Sequence, residues 1–298
     1  MKHLLSIEKL DSDAMRQIVS DAAIFKKERY TNTRKPLLGQ TWGMIFAKSS
    51  TRTRVSFEVG IHEMGGNALF LSAADIQLGR GEIIKDTARV LGRMTHGCII
   101  RTFKQQDVED FAYYSGIPTV NALTDDEHPC QILTDIFTII EKQGSIEGRV
   151  VAFIGDGACN MPISWAFAAA RMGFELRIAA PKKYQLPEEI KKRAGGKVFL
   201  TEDPLEAAKD ADILYTDTWV SMGKESEYAE RLKDLKDFQI NEKLVALAKK
   251  DVMVLHCLPA YRGKEITESI FEKFADDIFT QAENRLHTQK AIMNWMVQ

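Results

Sequence analysis

No apolar run in this 298-residue chain approaches the roughly 18 residues needed to span a bilayer, so no membrane helix is expected. The opening MKHLLSIEKLDSD lacks the long apolar core of a secretory signal. Cysteine is scarce. Cys98, Cys130, Cys159 and Cys257 lie far apart with no CxxC pair, which excludes the usual zinc spacings and fits reduced thiols in a cytoplasm. Net charge is lacking too: 40 Lys and Arg against 42 Asp and Glu leave −2, with a pI near 6.3. That balance argues against a nucleic acid or a membrane recognised by bulk charge. No Walker sequence, no GxSxG elbow and no metal-ligand cluster stands out. The expectation is a soluble cytoplasmic protein with small-molecule partners, no metal and no cofactor.

What is present is a large apolar fraction, 45%, enough for a sizeable core and, at this length, two domains. Short apolar runs alternate with helical patterns. GMIFA (43–47), ALFL (68–71), CIIR (98–101) and TVNAL (119–123) form one series. RVVAFIG (149–155), ELRIAA (175–180), KVFL (197–200), DILYT (212–216) and DVMVLHC (251–257) form a second. Such alternation means βαβ units. The fold class is α/β: two doubly wound parallel-sheet domains joined by interdomain helices. The break falls at KQGSIEGR (142–149), and the helix 129–143, striped by Leu133, Ile136, Phe137 and Ile140, joins them. Ligands in such sheets bind beyond the carboxyl ends of the strands.

The chemistry-bearing residues follow the strands. SSTRTR (49–54) stands where a strand turns into a helix, and free N–H groups, hydroxyls and guanidinia there suit a phosphate. The bland alternative is a Ser/Thr N-cap with solvated arginines. Arg101 ends its own strand. In HPCQ, Pro129 suits the first helical position and sets His128 and Gln131 three apart, a pair fit for a neutral carbonyl or amide, although a lone His is more often a capping or surface residue. GDGACNM (155–161) imitates a dinucleotide loop weakly, with Asn160 where a third glycine would stand and no acidic residue after the next strand. DTWVSMG begins with Asp217 at a strand end and continues into KESEYAE, a segment able to act as a lid. HCLP places Cys257 at a strand terminus, where a cysteine is usually just a small buried side chain.

STRTR, HPCQ, DTWVSMG, HCLP and AENR occur in this order across nearly the whole chain, and together they resemble the transcarbamoylase family. STRTR and HPxQ mark the broad group; DxWxSMG with HCLP is similar to its ornithine branch. The resemblance implies carbamoyl transfer from carbamoyl phosphate to the δ-amine of L-ornithine, giving L-citrulline and phosphate, in arginine biosynthesis or the catabolic arginine deiminase route. It implies a carbamoyl phosphate-binding domain over 1–134, with a C-terminal helix at about 283–298 packing back onto it, and an ornithine-binding domain over 135–282. Ser50, Thr51, Arg52, Thr53 and Arg101 would grip the phosphate. His128, Gln131 and Arg285 would hold the carbamoyl group. Asn160 would take the α-carboxylate of ornithine, Asp217 and Ser221 its α-ammonium, and Met222 would contribute backbone. Cys257 and the backbone of Leu258 would lie beside the reacting groups, so that Arg101, His128 and Cys257 carry the catalysis. The family forms homotrimers with sites at subunit interfaces, sometimes assembled further, and Gln77 would reach a neighbour's phosphate site.

Two departures stand out. Cys159–Asn160 replaces a pair of asparagines common in the family, and Gly81 follows Arg80 where some relatives carry Lys. The alternatives are a carbamoyltransferase acting on another amine, such as putrescine or N-acetylornithine, a non-catalytic binding homologue and, remotely, an NADP-dependent reductase using Lys182. Arg262, in AYRG, is the cation that an aspartate-using relative would want.

Overall fold

A computed structural model describes residues 1–298 except Asn32 and Met222, and except the side chains of Gly79 and Arg80. The chain forms two compact units, Met1–Phe137 with Glu283–Gln298, and Thr138–Ala282. Both are α/β, each built on one wholly parallel sheet.

The first unit contains α1 (Ser12–Lys27), β1 (Thr41–Phe46), α2 (Thr51–Glu63), β2 (Asn67–Ser72), α3 (Ile84–Leu91), β3 (Gly97–Arg101), α4 (Gln105–Ser115), β4 (Thr119–Leu123) and the first part of α5 (Pro129–Gln143). Its sheet runs β2-β1-β3-β4. β1 and β3 are central, and they read as unbroken apolar runs because helices cover both faces. Ile45, Ala88, Cys98, Ile100, Val108 and Phe111 form one buried cluster of this unit. The register pairs Phe46 with Arg101 and Arg101 with Leu123, so β1, β3 and β4 end level. The segments after them therefore leave from one edge.

The last helix, α12 (Ala275–Val297), starts about two turns before the expected 283. Asp276 and Asp277 occupy its first turn, where acidic side chains favour the helix dipole, and Ile278 buries in the core of the second unit. The part belonging to the first unit lies on α2 at Gly60, where a Cβ would come 3.2 Å from Lys290 Cγ and 3.6 Å from Leu286 Cδ1. Lys290 and Arg29 both pair with Glu63 at the end of α2, at 2.7 and 3.1 Å. This close packing sets the position of Arg285.

The second unit holds β5 (Val150–Ile154), α6 (Asn160–Met172), β6 (Glu175–Ala179), α7 (Glu188–Ala194), β7 (Lys197–Thr201), α8 (Pro204–Ala208), β8 (Ile213–Thr216), α9 (Tyr228–Leu235), α10 (Glu242–Leu247), β9 (Met253–His256) and α11 (Glu268–Lys273). Its strand order is β7-β6-β5-β8-β9. Phe153 stacks on Tyr215, and Trp165 meets Tyr215 edge-on. Buried Asp212 accepts from the backbone N–H of Val150 and pairs with Arg149 and Lys249, anchoring the start of β8. Among the described residues no helix is long and apolar enough to cross a membrane.

Candidate active site

In the first unit the phosphate-like motif sits as its composition requires. Ser50 is the N-cap of α2, its Oγ accepting from the N–H of Thr53 at 3.3 Å. Thr51, Arg52 and Thr53 fill the first turn, where backbone N–H groups have no helical acceptor. Thr53 is buried, Arg52 half-buried and Thr51 exposed. Arg101 is buried at the end of β3, and His128 immediately precedes α5 with 6% of its surface exposed.

These residues join others far away in sequence. Arg285, on α12, donates through Nη1 to Gln131 Oε1 at 2.6 Å and through Nη2 to Thr53 Oγ1 at 3.0 Å. Gln131 in turn donates to Asp135 Oδ1 at 2.7 Å. One guanidinium thus ties the α2 start to the α5 start. Burial holds the His128 imidazole well below its ordinary pKa, and the nearby Arg285, Arg101 and Arg52 push it the same way. The ring is neutral at physiological pH, able to donate one hydrogen bond and accept another. Gln77 opens a short 3-10 turn (Gln77–Arg80) and is exposed.

In the second unit the segments after β5, β8 and β9 carry the expected residues. Gly157 permits the first of these turns: a Cβ there would lie 2.8 Å from Ile178 and 2.9 Å from the Tyr184 carbonyl. Cys159 is then the N-cap of α6 and Asn160 its first residue. Burial raises the Cys159 thiol well above its usual pKa, as do Asp156 and Asp217. Asp217 follows β8, and Cys257 Sγ donates to its Oδ1 at 2.8 Å. Burial lifts the Asp217 carboxyl above its ordinary value, while hydrogen bonds from the Cys257 thiol and the Thr218 N–H pull it back. Ser221 is half-buried; Met222, assigned a backbone role, lies outside the described residues.

Three features escaped the sequence reading. His256 and Glu265 are both buried; the His256 ring meets Glu265 Oε1 at 3.1 Å through Nε2 and accepts from the Leu258 N–H through Nδ1 at 2.9 Å. Accepting at Nδ1 places the ring proton at Nε2, facing Glu265. Glu265 also receives the Tyr261 N–H, so this pair holds the Leu258 turn. In the first unit, buried Lys48 pairs with Asp125 and lies 4.3 Å from the centre of the Phe103 ring, tying the segments after β1, β3 and β4. Buried Arg231, on α9, pairs with Asp156 at 2.6 Å. Adjacency to Cys257 was a signal for His256; Lys48, Glu265 and Arg231 look like ordinary surface charges in sequence. Arg262 is committed elsewhere, to Glu268 and Glu272 at 2.8 and 2.7 Å.

The two sets of side chains define a parallel α/β protein that offers cations and a neutral imidazole in one unit and carboxylate with thiol in the other. Residues 2–141 match the family model for the aspartate/ornithine carbamoyltransferase carbamoyl-P binding domain, and residues 147–296 match its Asp/Orn binding domain. The chain belongs to the aspartate/ornithine carbamoyltransferase family. It is 55% identical over 296 residues to an ornithine carbamoyltransferase of Akkermansia muciniphila, covering 98% of this chain and 97% of the relative. The crystal structure of the anabolic ornithine carbamoyltransferase from Campylobacter jejuni superposes with a TM-score of 0.93 at 46% identity, covering 98% of each chain. The Pyrococcus furiosus ornithine carbamoyltransferase structure gives 0.92 at 43%, covering 98% of this chain and 96% of that one.

Proposed function

We propose that the protein transfers the carbamoyl group of carbamoyl phosphate to the δ-amine of L-ornithine, releasing L-citrulline and phosphate. Full-length similarity to relatives named for that reaction supports the reading. The observation that carries the choice of amine is Asp217, a carboxylate that accepts from the Cys257 thiol at 2.8 Å and keeps further acceptor sites for an ammonium group. Putrescine has no α-ammonium for Asp217 to hold. Aspartate would need a further cation, and Arg262 and Arg231 are already held by carboxylates.

In this reading Met1–Phe137 with Glu283–Gln298 binds carbamoyl phosphate and Thr138–Ala282 binds ornithine. The α2 N-terminus, with Ser50, Thr51, Arg52 and Thr53, receives the phosphate beside Arg101. Neutral His128 donates to the carbamoyl oxygen, and Gln131 and Arg285 orient the amide. Asn160 takes the α-carboxylate of ornithine, and Asp217 and Ser221 its α-ammonium. Carbamoyl phosphate is already activated, so placement and charge stabilisation suffice without a covalent enzyme intermediate. The δ-amine attacks the carbonyl carbon, the C–O bond to phosphate breaks, and the departing phosphate takes the proton. An alkylammonium titrates near pH ~10.4, so roughly one molecule in a few thousand is nucleophilic at neutral pH. Activity therefore rises into the alkaline range. We also assign the protein to the cytoplasm, in keeping with four free cysteines, and to homotrimers in which Gln77 reaches a neighbouring subunit's phosphate.

The test is a ureido-product assay with carbamoyl phosphate and ornithine, putrescine, N-acetylornithine or aspartate. Selective citrulline formation is expected. Preference for another amine would overturn the roles given to Asp217, Ser221 and Asn160, and no turnover with any would overturn the enzymatic reading.

A further inference from the structure

Arg231 is buried, with 6% of its surface exposed, although residues 228–230 before it on α9 all face solvent. A guanidinium taken out of water is tolerated only when its donors are met. Here they are met from two parts of the chain, the turn after β5 and the segment between β8 and α9. Nη1 donates to Asp156 Oδ2 at 2.6 Å and to the Trp219 carbonyl at 3.2 Å, and Nε donates to Glu227 Oε2 at 2.8 Å. The cation also lies 5.0 Å from the centre of the Tyr184 ring.

Two of these partners border the amino-acid half of the site. Asp156 spends its other oxygen on the Ala158 N–H at 2.9 Å, shaping the turn that delivers Cys159 and Asn160. Trp219 stands two residues after Asp217 and two before Ser221, and its own side chain is buried. Glu227 closes the same segment just before α9. Local side-chain bonds to backbone also shape the stretch between β8 and α9, such as Thr218 N–H to Asp217 Oδ1 at 2.6 Å and Gly223 N–H to Glu225. Arg231 links this segment to the turn after β5.

We propose that Arg231 is a positioning residue for amino-acid recognition: clamped to Asp156, it holds the Trp219 carbonyl and so sets Asp217 and Ser221 in register with Asn160. The assignment rests on the reading of residues 217–221 as the ornithine-binding segment. A lysine would keep the charge but not the planar fork that meets Asp156, Trp219 and Glu227 together.

Steady-state kinetics of Arg231→Ala, Arg231→Lys and the neutral pair Asp156→Asn/Arg231→Gln test it, with thermal unfolding measured alongside. Arg231→Ala is expected to lower kcat/KM for ornithine roughly 10²-fold, mostly through KM, while KM for carbamoyl phosphate stays within about twofold. Inhibition by L-norvaline, which keeps the α-groups of ornithine but lacks its δ-amine, weakens by the same factor. Arg231→Lys recovers part of the loss. Where Arg231→Ala does not fold, the lysine variant and the neutral pair carry the same test. Equal losses toward both substrates, or a lower melting temperature with KM for ornithine unchanged, would overturn the assignment. Asp217→Asn separates the two claims. If it raises KM for ornithine and the Arg231 variants do not, only the positioning role falls; if it leaves that KM unchanged, the reading of the segment fails and the positioning role falls with it.

Discussion

The two units solve recognition in opposite ways. In the first, the candidate site is held by side chains bonded to one another across the chain: Arg285 spans to Thr53 and Gln131, Gln131 to Asp135, and Lys48 to Asp125. In the proposed function, the groups that meet carbamoyl phosphate are arginines, helix N–H donors and a neutral imidazole. The second unit presents a half-buried carboxylate, two thiols and two backbone segments, one bonded to Arg231 and the other to the His256–Glu265 pair. A rigid lattice of donors suits a small anion that is the same in every turnover. A carboxylate set by a clamped backbone segment suits selection among amines by fit. The first unit should then govern whether the reaction occurs, and the second which amine takes part.

Removing a cation from the first unit breaks that division most severely. Arg101→Ala is expected to lower kcat by roughly 10³-fold, because a preorganised donor to developing charge acts where water cannot replace it. Arg101→Lys recovers little, since a point charge does not reproduce the fork. Single-turnover assays with saturating carbamoyl phosphate measure it. A tenfold loss or less would mean that the phosphate is held elsewhere.

Cys257→Ala probes the second unit and should cost less. It removes the thiol that donates to Asp217 Oδ1 and leaves the carboxylate in place. A hydrogen bond to a charged group is worth about 1.5–3 kcal/mol, so kcat/KM for ornithine falls roughly ten- to a hundredfold with KM for carbamoyl phosphate unchanged. A folded variant with no turnover would contradict the view that Cys257 forms no covalent bond to substrate.

The same contrast explains what sequence alone conveys. The nine strands among the described residues are legible as short apolar runs: the central ones are covered on both faces and show no polar alternation, and the edge strands β2 and β7 stay apolar although partly exposed. STRTR is legible as an anion site because N-cap chemistry is local: Ser50 meets Thr53 three residues on. Arg285 is another matter. Its partners lie 154 and 232 residues away, so only the resemblance of AENR to a known motif pointed to it. Lys48, Arg231 and Glu265 look like surface charges, because their burial is set by tertiary packing that no spacing reveals. The start of α12 was misplaced for a related reason. Its first turns belong to the second unit, and the motif that marked the helix begins only where the first unit resumes.

The smallest effect on turnover comes from His287, and it separates the units by their response to acid. Burial lowers this His on α12 from 6.5 to about 4; Lys290 and Lys26 add to the shift and Glu283 opposes it. A histidine with a depressed folded-state pKa favours folding while neutral. Its contribution is present in full above pH 6.5, declines as the unfolded chain takes up the proton, and is gone below about 4. Between pH 7.5 and 5 that amounts to about 2 kcal/mol lost from the first unit. His128, also lowered by burial, acts in the same direction. The second unit behaves differently. Asp217, raised by burial, is relieved rather than strained by acid. Asp212 is held below 3.8: its own burial opposes that shift, and Lys249, the Val150 N–H and Arg149 outweigh it. Its contribution is therefore lost only below that range. Hydrogen exchange at pH 7.5 and 5 should show protection falling in the first unit while the second is retained. His287→Gln should flatten that difference while leaving turnover at pH 7.5 unchanged. Equal loss in both units, or an unchanged slope in the variant, would mean that His287 does not carry the acid response of the first unit.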